Sequence, residues 1–592
     1  MSWAIGVDMS TCARLLMTCC WLFTASVAGA ASLELSTYLG GNGEELITGS
    51  VLGPDGSLYV TGRTTSSDLA TTPGALQSAP GGGWDSFVAR VSADGGELLL
   101  LTYLGGSMDD RATAIALQPD GSIVVVGSTN SPDYPGAGPG ALLARKDPFV
   151  TVLKPDGTEL RFTRMMRSVV TPDDTFWTTV AVGPGGTIHL LGSTTAHDLP
   201  VHRPVQGSLT GGPGAPADLY LAAFSANGSE LLHATYFGGS GEEAARDLVF
   251  GPQGELIAVG ATTSADHPLV GPSWPGESCS AGDCSWEAFV TVFSPQGDRV
   301  LGSRLIGGLG RDELDSVALL PNGRLRAVGL TEPHFPTRTS LPSPPTDLQL
   351  ASLVDLDLDD LELTSSVRLQ FRASSLSLTP GGKTAVAGRI QWPISWLEDP
   401  IDDSFGGCCD LVLMMPSPAL DGIELATYLG GDDWDDMAFD NLVADSCGAV
   451  WITGLTWSTD LTTVNPVQAE NGGLTDGLIM KVVVADPEAP VSSQNLRVRR
   501  VDGRLGVRLA GSPASGEFLL AQGDLDSLHE LRTYSHEVVA CSRVGDEVRL
   551  DLPEQSTYYL APGRACGLLG TAGTSSLGTP RPPWVTGTGE CP

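Results

Sequence analysis

The chain has 592 residues, of which 74 are glycine and 41 are proline, and it shows no long helical pattern. This length and this abundance of turn-forming residues predict several folding units built from short β-strands. Asp and Glu outnumber Lys and Arg by 69 to 33, which gives a net charge of −36 and excludes nucleic acid and anionic membrane surfaces as partners.

The N-terminus is typical of an export signal. Arg14 precedes an apolar run that ends near Ala28, and small residues follow at 29–31. The run is short for a membrane span, although a retained anchor is the alternative. We predict that residues 1–31 are a signal peptide, that the mature protein is secreted or periplasmic with possible cell-surface association, and that it does not insert in a membrane. Export also permits disulfides.

A five-residue pattern returns at intervals of about 65 residues. It reads Thr-Tyr-Leu-Gly-Gly at 37–41, 102–106 and 427–431, and Thr-Tyr-Phe-Gly-Gly at 235–239. A worn copy, Leu-Ile-Gly-Gly, stands at 305–308, and the motif is degenerate in the other units. In every unit, a tight turn leads into an apolar strand that ends at a glycine. Seven such glycines mark seven units: Gly62, Gly127, Gly192, Gly260, Gly329, Gly388 and Gly454.

Each unit contains four candidate strands. In the second unit these are residues 112–117, 122–126, 148–153 and a fourth strand ending at Met166, joined in pairs by Pro-Asp-Gly turns. Four-stranded sheets repeated around an axis form a β-propeller. Leu33–Leu39 matches a fourth strand and Gly477–Val484 matches a third strand, so pairing them would close the ring. The prediction is an all-β chain with a seven-bladed β-propeller over residues 32–486, closed by its N-terminal strand.

The repeat residues carry a family resemblance. Thr102–Gly106, the following Asp109-Asp110 and the segment Val126–Pro135 resemble the SBBP repeat, a bacterial family named for a seven-bladed β-propeller. The resemblance covers roughly residues 33–486 and implies the fold and export. It implies no reaction.

The pattern changes after residue 486. Short strand-like segments continue to Ala561, and the chain shows Tyr558-Tyr559-Leu560, Cys566-Gly567 and Cys591-Pro592. These residues resemble a degenerate fibronectin type III module, which implies a small β-sandwich over 487–566. Residues 567–592 are rich in Gly, Ser and Pro, and we predict an extended tail with a Cys566–Cys591 disulfide.

The loops between second and third strands are long and open on one face of the propeller, whereas the other face has tight turns. Variable loops on a rigid scaffold are common binding sites. Six units place two adjacent acids just before the first strand, near that long-loop face. They are Glu44-Glu45, Asp109-Asp110, Asp173-Asp174, Glu242-Glu243, Asp312-Glu313 and Asp435-Asp436. Carboxylate oxygens suit Ca²⁺, and the alternative is that each acid caps a turn or bonds the backbone of the next blade. No other cofactor is predicted.

Tryptophans are the second group of candidates on this face. They are Trp84, Trp274, Trp286, Trp392, Trp396, Trp434 and Trp457. Exposed indoles offer flat faces to sugar rings and anchors to protein partners; the alternative is that they pin the loops onto the scaffold. Cys279 and Cys284 lie in one long loop, and we predict a local disulfide between them. The partners of four other cysteines stay open: Cys408, Cys409, Cys447 and Cys541.

Catalytic motifs are missing from the sequence. His197-Asp198 and Asp266-His267 share a repeat position, which favours a role in loop structure over an acid–base pair. We predict a non-enzymatic binding scaffold that presents the long-loop face to a glycan or protein ligand. The alternatives are a polysaccharide lyase or hydrolase that uses acids such as Asp110 on the same face, and a purely structural surface protein.

Overall fold

The computed structural model describes most of the residues from 31 to 484 and parts of the C-terminal region. The described ranges of the first part are 31–138, 146–166, 175–212, 214–271, 285–308, 310–332, 335–336, 351–394, 397–437 and 441–484. In the C-terminal region the backbone is described at 496–501, 504–509, 517–524, 537–543, 547–550, 557–560, 564–565 and 568–569. The chain divides into two compact units, residues 31–483 and residues 484–565.

The first unit consists of seven antiparallel sheets of short strands, and each sheet is one blade. Blade 1 contains β2 Glu45–Leu52, β3 Leu58–Thr64, β4 Asp85–Val91 and β5 Leu98–Leu104. Blade 2 contains β6 Asp110–Leu117, β7 Ile123–Thr129, β8 Asp147–Leu153 and β9 Leu160–Met165. Blade 3 contains β10 Thr175–Val182, β11 Ile188–Thr194, β12 Asp218–Phe224 and β13 Leu231–Phe237, with a short 3-10 turn at Pro184–Gly186. Blade 4 contains β14 Glu243–Phe250, β15 Leu256–Thr262, β16 Glu287–Phe293 and β17 Val300–Ile306.

The remaining blades follow the same order. Blade 5 contains β18 Ser316–Leu319, β19 Leu325–Gly329, β20 Ala351–Leu356 and β21 Leu363–Leu369. Blade 6 contains β22 Arg372–Leu378, β23 Thr384–Ile390, β24 Asp410–Pro416 and β25 Ile423–Leu429. Blade 7 contains β26 Asp435–Asp436, β27 Leu442–Ala444, β28 Val450–Thr456, β29 Asp476–Val483 and β1 Ser32–Leu39. The predicted seven-bladed β-propeller is therefore confirmed.

The two ends of the repeat region close the ring. β1 pairs antiparallel with β29, with Ser32 opposite Val483 and Leu39 opposite Gly477. The outer strand of blade 7 thus comes from the N-terminal end of the repeat region, as the sequence predicts. Without this pairing the backbone groups of β29 would be exposed at a sheet edge, which promotes aggregation.

The packing between blades explains why the strands are apolar on both faces. Val124 and Val125 of β7 are both fully buried although their side chains point to opposite faces. Each β7 face packs against a neighbouring blade, and burial of this apolar surface stabilises the ring. The inner strands also carry a bulge, and Thr48 of β2 donates a hydrogen bond to the Ala112 carbonyl of blade 2 at 2.9 Å. Adjacent blades are therefore joined by hydrogen bonds as well as by packing.

The second unit contains two three-stranded sheets and one pair of short strands. The first sheet orders β30 Leu496–Val501, β31 Arg504–Leu509 and β34 Glu547–Leu550, and the second orders β33 Glu537–Arg543, β32 Glu517–Asp524 and β35 Thr557–Leu560. β36 Arg564–Ala565 pairs with β37 Leu568–Leu569. The fibronectin type III resemblance stays a prediction, and residues 1–30 and most of the tail lie outside the described residues. No helix among the described residues has the length and apolar character of a membrane span.

Candidate functional site

The tyrosine of the repeated motif fixes the long loop of its own blade. The Tyr103 hydroxyl accepts the Leu69 N–H at 2.9 Å and donates to the Ser66 carbonyl at 2.9 Å. Its neighbour Thr102 accepts the Gln77 N–H at 3.0 Å. Tyr38, Tyr236 and Tyr428 hold the loops of blades 7, 3 and 6 in the same way. The motif tyrosines thus anchor the long loops of four blades to the outer strands of those blades.

In five blades, an acid at or just before the inner strand is buried and lies against the glycine corner of the previous blade. Asp110 is completely buried, and its Oδ2 accepts the Gly106 N–H at 2.6 Å and the Ser131 hydroxyl at 2.8 Å. Glu45, Glu243, Asp312 and Asp435 occupy the equivalent position. This geometry favours the turn-capping interpretation of these acids over the cation site.

The adjacent acids do not share one register. In the pairs 109–110 and 242–243 only the second residue is buried, in the pair 435–436 only the first is buried, and in the pair 312–313 both are buried. The other member of each pair differs in role. Asp109 accepts the Trp84 N–H at 3.2 Å, Glu242 is exposed, Glu313 contacts Arg246 at 2.7 Å and Asp436 contacts Arg389 at 2.5 Å. Asp173 and Asp174 lie outside the described residues.

A second set of acids, which the sequence analysis missed, begins the third strand of six blades; in blade 2 it is Asp147, whose facing position in blade 3 lies outside the described residues, and in the other five blades the facing acid is described. The acids of these five blades are Asp85, Asp218, Glu287, Asp410 and Asp476. Each faces the buried acid of the next blade across the first glycine of the motif. A β-carbon on Gly40 would lie 2.5 Å from both Asp476 Oδ1 and Glu45 Oε2. Five blade junctions therefore contain two carboxylates that face each other.

Burial dominates the protonation of these junction acids. It raises the pKa of Asp110, Asp218 and Asp476 to about 6 and that of Glu287 and Asp410 to about 7, and the negative charge of the facing acid adds to the effect. Burial also raises the pKa of Asp312 and Asp435 to about 6. Among the described residues, no group of three or more His, Cys, Asp or Glu could hold a metal ion. In each of these five junctions, burial and the facing negative charge thus favour the protonated form of one acid.

The tryptophans divide into exposed and packed side chains. Trp392 and Trp457 are 54% and 52% exposed, respectively. Trp84 and Trp286 are partly covered, because the guanidinium of Arg63 lies 4.9 Å from the Trp84 ring centre and that of Arg311 lies 5.6 Å from Trp286. Trp274 and Trp396 lie outside the described residues.

One group of aromatic residues lies at the junction of blades 6 and 7, and we call Arg389, Trp434 and Trp457 the aromatic cluster. The ring centres of Trp434 and Trp457 are 6.2 Å apart. The Arg389 guanidinium also contacts Trp434 and lies 5.1 Å from its ring centre. The Trp457 N–H of the backbone donates to the Trp434 carbonyl at 2.9 Å. The exposed Trp457 ring is therefore held in place by a layered arrangement.

The remaining residues singled out by the sequence are a histidine and several cysteines, and some of them lie outside the described residues. His267 is buried between Phe237 and Phe289 and lies 3.4 Å from the Glu243 carboxylate. Cys409 is buried and Cys408 is exposed, and neither forms a disulfide among the described residues. The predicted Cys279–Cys284 and Cys566–Cys591 disulfides fall outside the described residues and stay predictions.

Comparison with known proteins identifies structural similarity only. No family model and no curated protein matches the chain. Similar solved structures include hydrazine synthase of Kuenenia stuttgartiensis, at 11% identity and a TM-score of 0.37 over 69% of this chain and 92% of that chain. They also include a protein of unknown function from Dyadobacter fermentans, at 9% identity and a TM-score of 0.38 over 77% and 100%. An ulvan lyase of polysaccharide lyase family PL25 is 11% identical, with a TM-score of 0.40 over 77% and 96%. At this level of similarity no activity is transferred to this chain.

Proposed function

We propose that the protein is a secreted, non-enzymatic binding scaffold that presents its long-loop face to a glycan. The aromatic cluster is the observation that carries this proposal. Trp457 exposes half of its surface to solvent, yet its ring is held against Trp434 and its backbone is hydrogen-bonded. A preorganised indole with an open face loses little conformational freedom when a sugar ring stacks on it.

The scaffold beneath the cluster supports the same proposal. Trp434 precedes the first strand of blade 7 and Trp457 follows the second strand, so both rings are attached to ends of paired strands. Asp436 and Arg389 lie beside the rings and provide charged hydrogen-bonding groups. Flat apolar faces bordered by a few polar groups are typical of sites for polar ligands.

The enzyme alternative has weaker support. Asp110, the acid that it would use, is completely buried, and its Oδ2 is occupied by hydrogen bonds to the scaffold. A general acid must reach the substrate to transfer a proton. His267 is enclosed by phenylalanine rings. The buried acids of this face are therefore better suited to hold the blades together.

The test is a screen of the full-length mature protein against immobilised glycans, followed by variants of the exposed rings. Trp457→Ala is expected to weaken glycan binding about tenfold or more, which corresponds to the loss of one stacking contact. Leu474→Ala, which alters a side chain that is 70% exposed on the same blade, is the matched control and is expected to bind like the wild type. Thermal unfolding should be unchanged in both. Wild-type affinity in Trp457→Ala, or binding of proteins but no glycan, would contradict the proposal.

A further inference from the structure

Two blade junctions on the long-loop face carry an arginine at the same position of the repeat. Arg389 follows the closing glycine Gly388 of blade 6, and Arg63 follows the closing glycine Gly62 of blade 1. Each guanidinium lies over an indole ring, Arg389 over Trp434 at 5.1 Å and Arg63 over Trp84 at 4.9 Å. The two arginines therefore occupy equivalent positions, although Trp434 precedes the first strand of the next blade and Trp84 precedes the third strand of the same blade.

The junctions differ in the residue that the next blade provides. In blade 7, the residue after the buried Asp435 is Asp436, and its Oδ2 lies 2.5 Å from Arg389 Nη1. In blade 2, the residue after the buried Asp110 is Arg111. The position that supplies a counter-charge at one junction thus supplies a second positive charge at the other. We call Arg63 and Arg111 the arginine pair.

The arginine pair is incompletely neutralised by the protein. Arg63 forms no ion pair with any described residue, and Arg111 has one contact with Asp109 at 3.5 Å. Through its other oxygen, Asp109 also accepts a hydrogen bond from the backbone N–H of Trp84. The Nε atoms of both arginines are buried and lack a hydrogen-bond acceptor among the described residues.

The electrostatic surroundings agree with this geometry. Burial lowers the pKa of Arg63, and the positive charge of Arg111 lowers it further, while Glu44 and Asp109 act in the opposite direction. A half-buried guanidinium without acceptors is costly, because its N–H groups have lost water and gained no partner. Such a pair is unexpected in a protein with a net charge of −36, unless an external anion completes it.

We propose that the arginine pair binds an oxyanion, namely a carboxylate or sulfate group of an acidic glycan. Two guanidinium groups offer N–H donors in a planar fork geometry that fits carboxylate and sulfate oxygens. Only one part of this proposal rests on the proposed function, namely that the oxyanion belongs to a glycan. The Trp84 ring beneath Arg63 holds the guanidinium in place, so the site is largely formed before the ligand arrives.

The opposite face of the propeller contains a cleft with two arginines, which is an alternative place for an anion to bind. It has a volume of about 660 Å³ and lies between blades 2 and 3, where Arg161 and Arg164 contribute to its lining. These arginines already have partners, since Arg161 contacts Asp120 at 2.6 Å and Arg164 donates to the Gly228 carbonyl at 2.6 Å. Arg161 is therefore a matched control for the arginine pair.

The experiment is a titration of the full-length mature protein with small probes, followed by calorimetry and by tryptophan fluorescence. Sodium glucuronate and inorganic sulfate represent the two anions, and methyl glucoside is the neutral control. The wild type is expected to bind at least one anion and not the glucoside. Arg111→Asp recreates the charge pair of the other junction, and we expect it to weaken anion binding about tenfold or more, as for loss of a charge-assisted hydrogen bond. Its thermal midpoint should equal or exceed that of the wild type, because Arg63 gains a counter-charge.

The controls distinguish the possible outcomes. Arg161→Gln should bind both anions like the wild type, and Arg63→Gln gives the same test as Arg111→Asp if that variant does not fold. Sulfate binding without glucuronate binding would identify a sulfated ligand, and the reverse would identify a uronate. Failure of the wild type to bind either anion, unchanged affinity in both pair variants, or loss of affinity in Arg161→Gln would overturn the proposal. Trp457→Ala should not affect these titrations, so this result is independent of the aromatic cluster.

Discussion

The two faces of the propeller use the same residue type, aspartate, in opposite ways. On the tight-turn face, Asp120 is half exposed, and hydrogen bonds from Ser122, followed by Arg161, lower its pKa to about 2. On the long-loop face, Asp110 is buried, and burial raises its pKa to about 6. The Asp120 carboxyl group is therefore fully ionised at neutral pH, whereas Asp110 titrates much closer to neutral pH.

This difference shows that the repeated motif, the clearest pattern in the sequence, serves mainly to build the propeller. The motif glycines, the motif tyrosines and the buried acids all hold blade junctions and loops together. The side chains available to a ligand lie just beyond them, at Trp392, Trp457 and the arginine pair. A repeat supplies the rigid frame, and residues that break the repeat are the better candidates for function.

The largest expected effect comes from filling a junction on the long-loop face. A β-carbon on Gly105 would lie 2.9 Å from Asp110 Oδ2 and closer still to Asp85 Oδ1. Gly105→Ala is expected to destabilise the propeller by about 3 kcal/mol, the upper range for overpacking a buried site. Gly448→Ala on the tight-turn face meets no atom within 4 Å, and its positive φ of 79° should cost only about 1 kcal/mol.

Denaturant unfolding of both variants tests this contrast between the faces. A larger shift of the midpoint for Gly105→Ala, with an unchanged slope, would show that the motif glycine is required by the facing carboxylates. Equal shifts for the two variants would mean that the junction acids are not packed against the glycine. The comparison between the two faces would then fail.

The smallest effect is expected on the tight-turn face. Asp120→Asn removes the contact with Arg161, but the Asp120 side chain is 53% exposed. An exposed ion pair of this kind contributes at most about 1 kcal/mol. Thermal unfolding of Asp120→Asn should differ from the wild type by only a few degrees, and the difference should shrink in high salt because exposed charges are screened. A large, salt-insensitive loss would show that this face is more tightly coupled than the structure indicates.

The sequence predicted the propeller well because each part of the repeat has a local cause. The Pro-Asp-Gly turns, the apolar strands and the matching ends predict seven blades and their closure, and the structure confirms both. The predicted strands of blade 2 differ from β6 to β9 by a few residues at most. Blade 5 has short first and second strands, Ser316–Leu319 and Leu325–Gly329.

The sites were less predictable because they depend on neighbours from different blades. Asp85 and Asp110 belong to separate strands, and only the fold brings them to the two sides of Gly105. An acid recurs at the start of the third strands, and this pattern in the sequence was sufficient to predict the second set of acids. The arginine pair could not be recognised from sequence, because it required knowing that Arg111 takes the place of Asp436. The exposed tryptophans were correctly located on the long loops, but their exposure depends on whether an arginine covers them.

The direction of the pH dependence follows from the junction acids. Seven of them have pKa values raised to about 6 or 7 in the folded state: Asp110, Asp218, Glu287, Asp312, Asp410, Asp435 and Asp476. The folded state therefore binds more protons than the unfolded state above about pH 4, so their stabilising effect is lost as the pH rises through 6 to 7. His189 and His233, whose pKa values are lowered to about 4 by burial, act in the opposite direction but are outnumbered.

Thermal unfolding of the mature protein at about pH 5 and about pH 8, each with calcium and with a chelator, tests most directly whether the long-loop acids are structural. We predict a higher unfolding midpoint at the lower pH and no response to calcium at either pH. A midpoint that rises with pH, or that calcium raises and the chelator lowers, would show that the facing carboxylates hold a cation and would contradict this account.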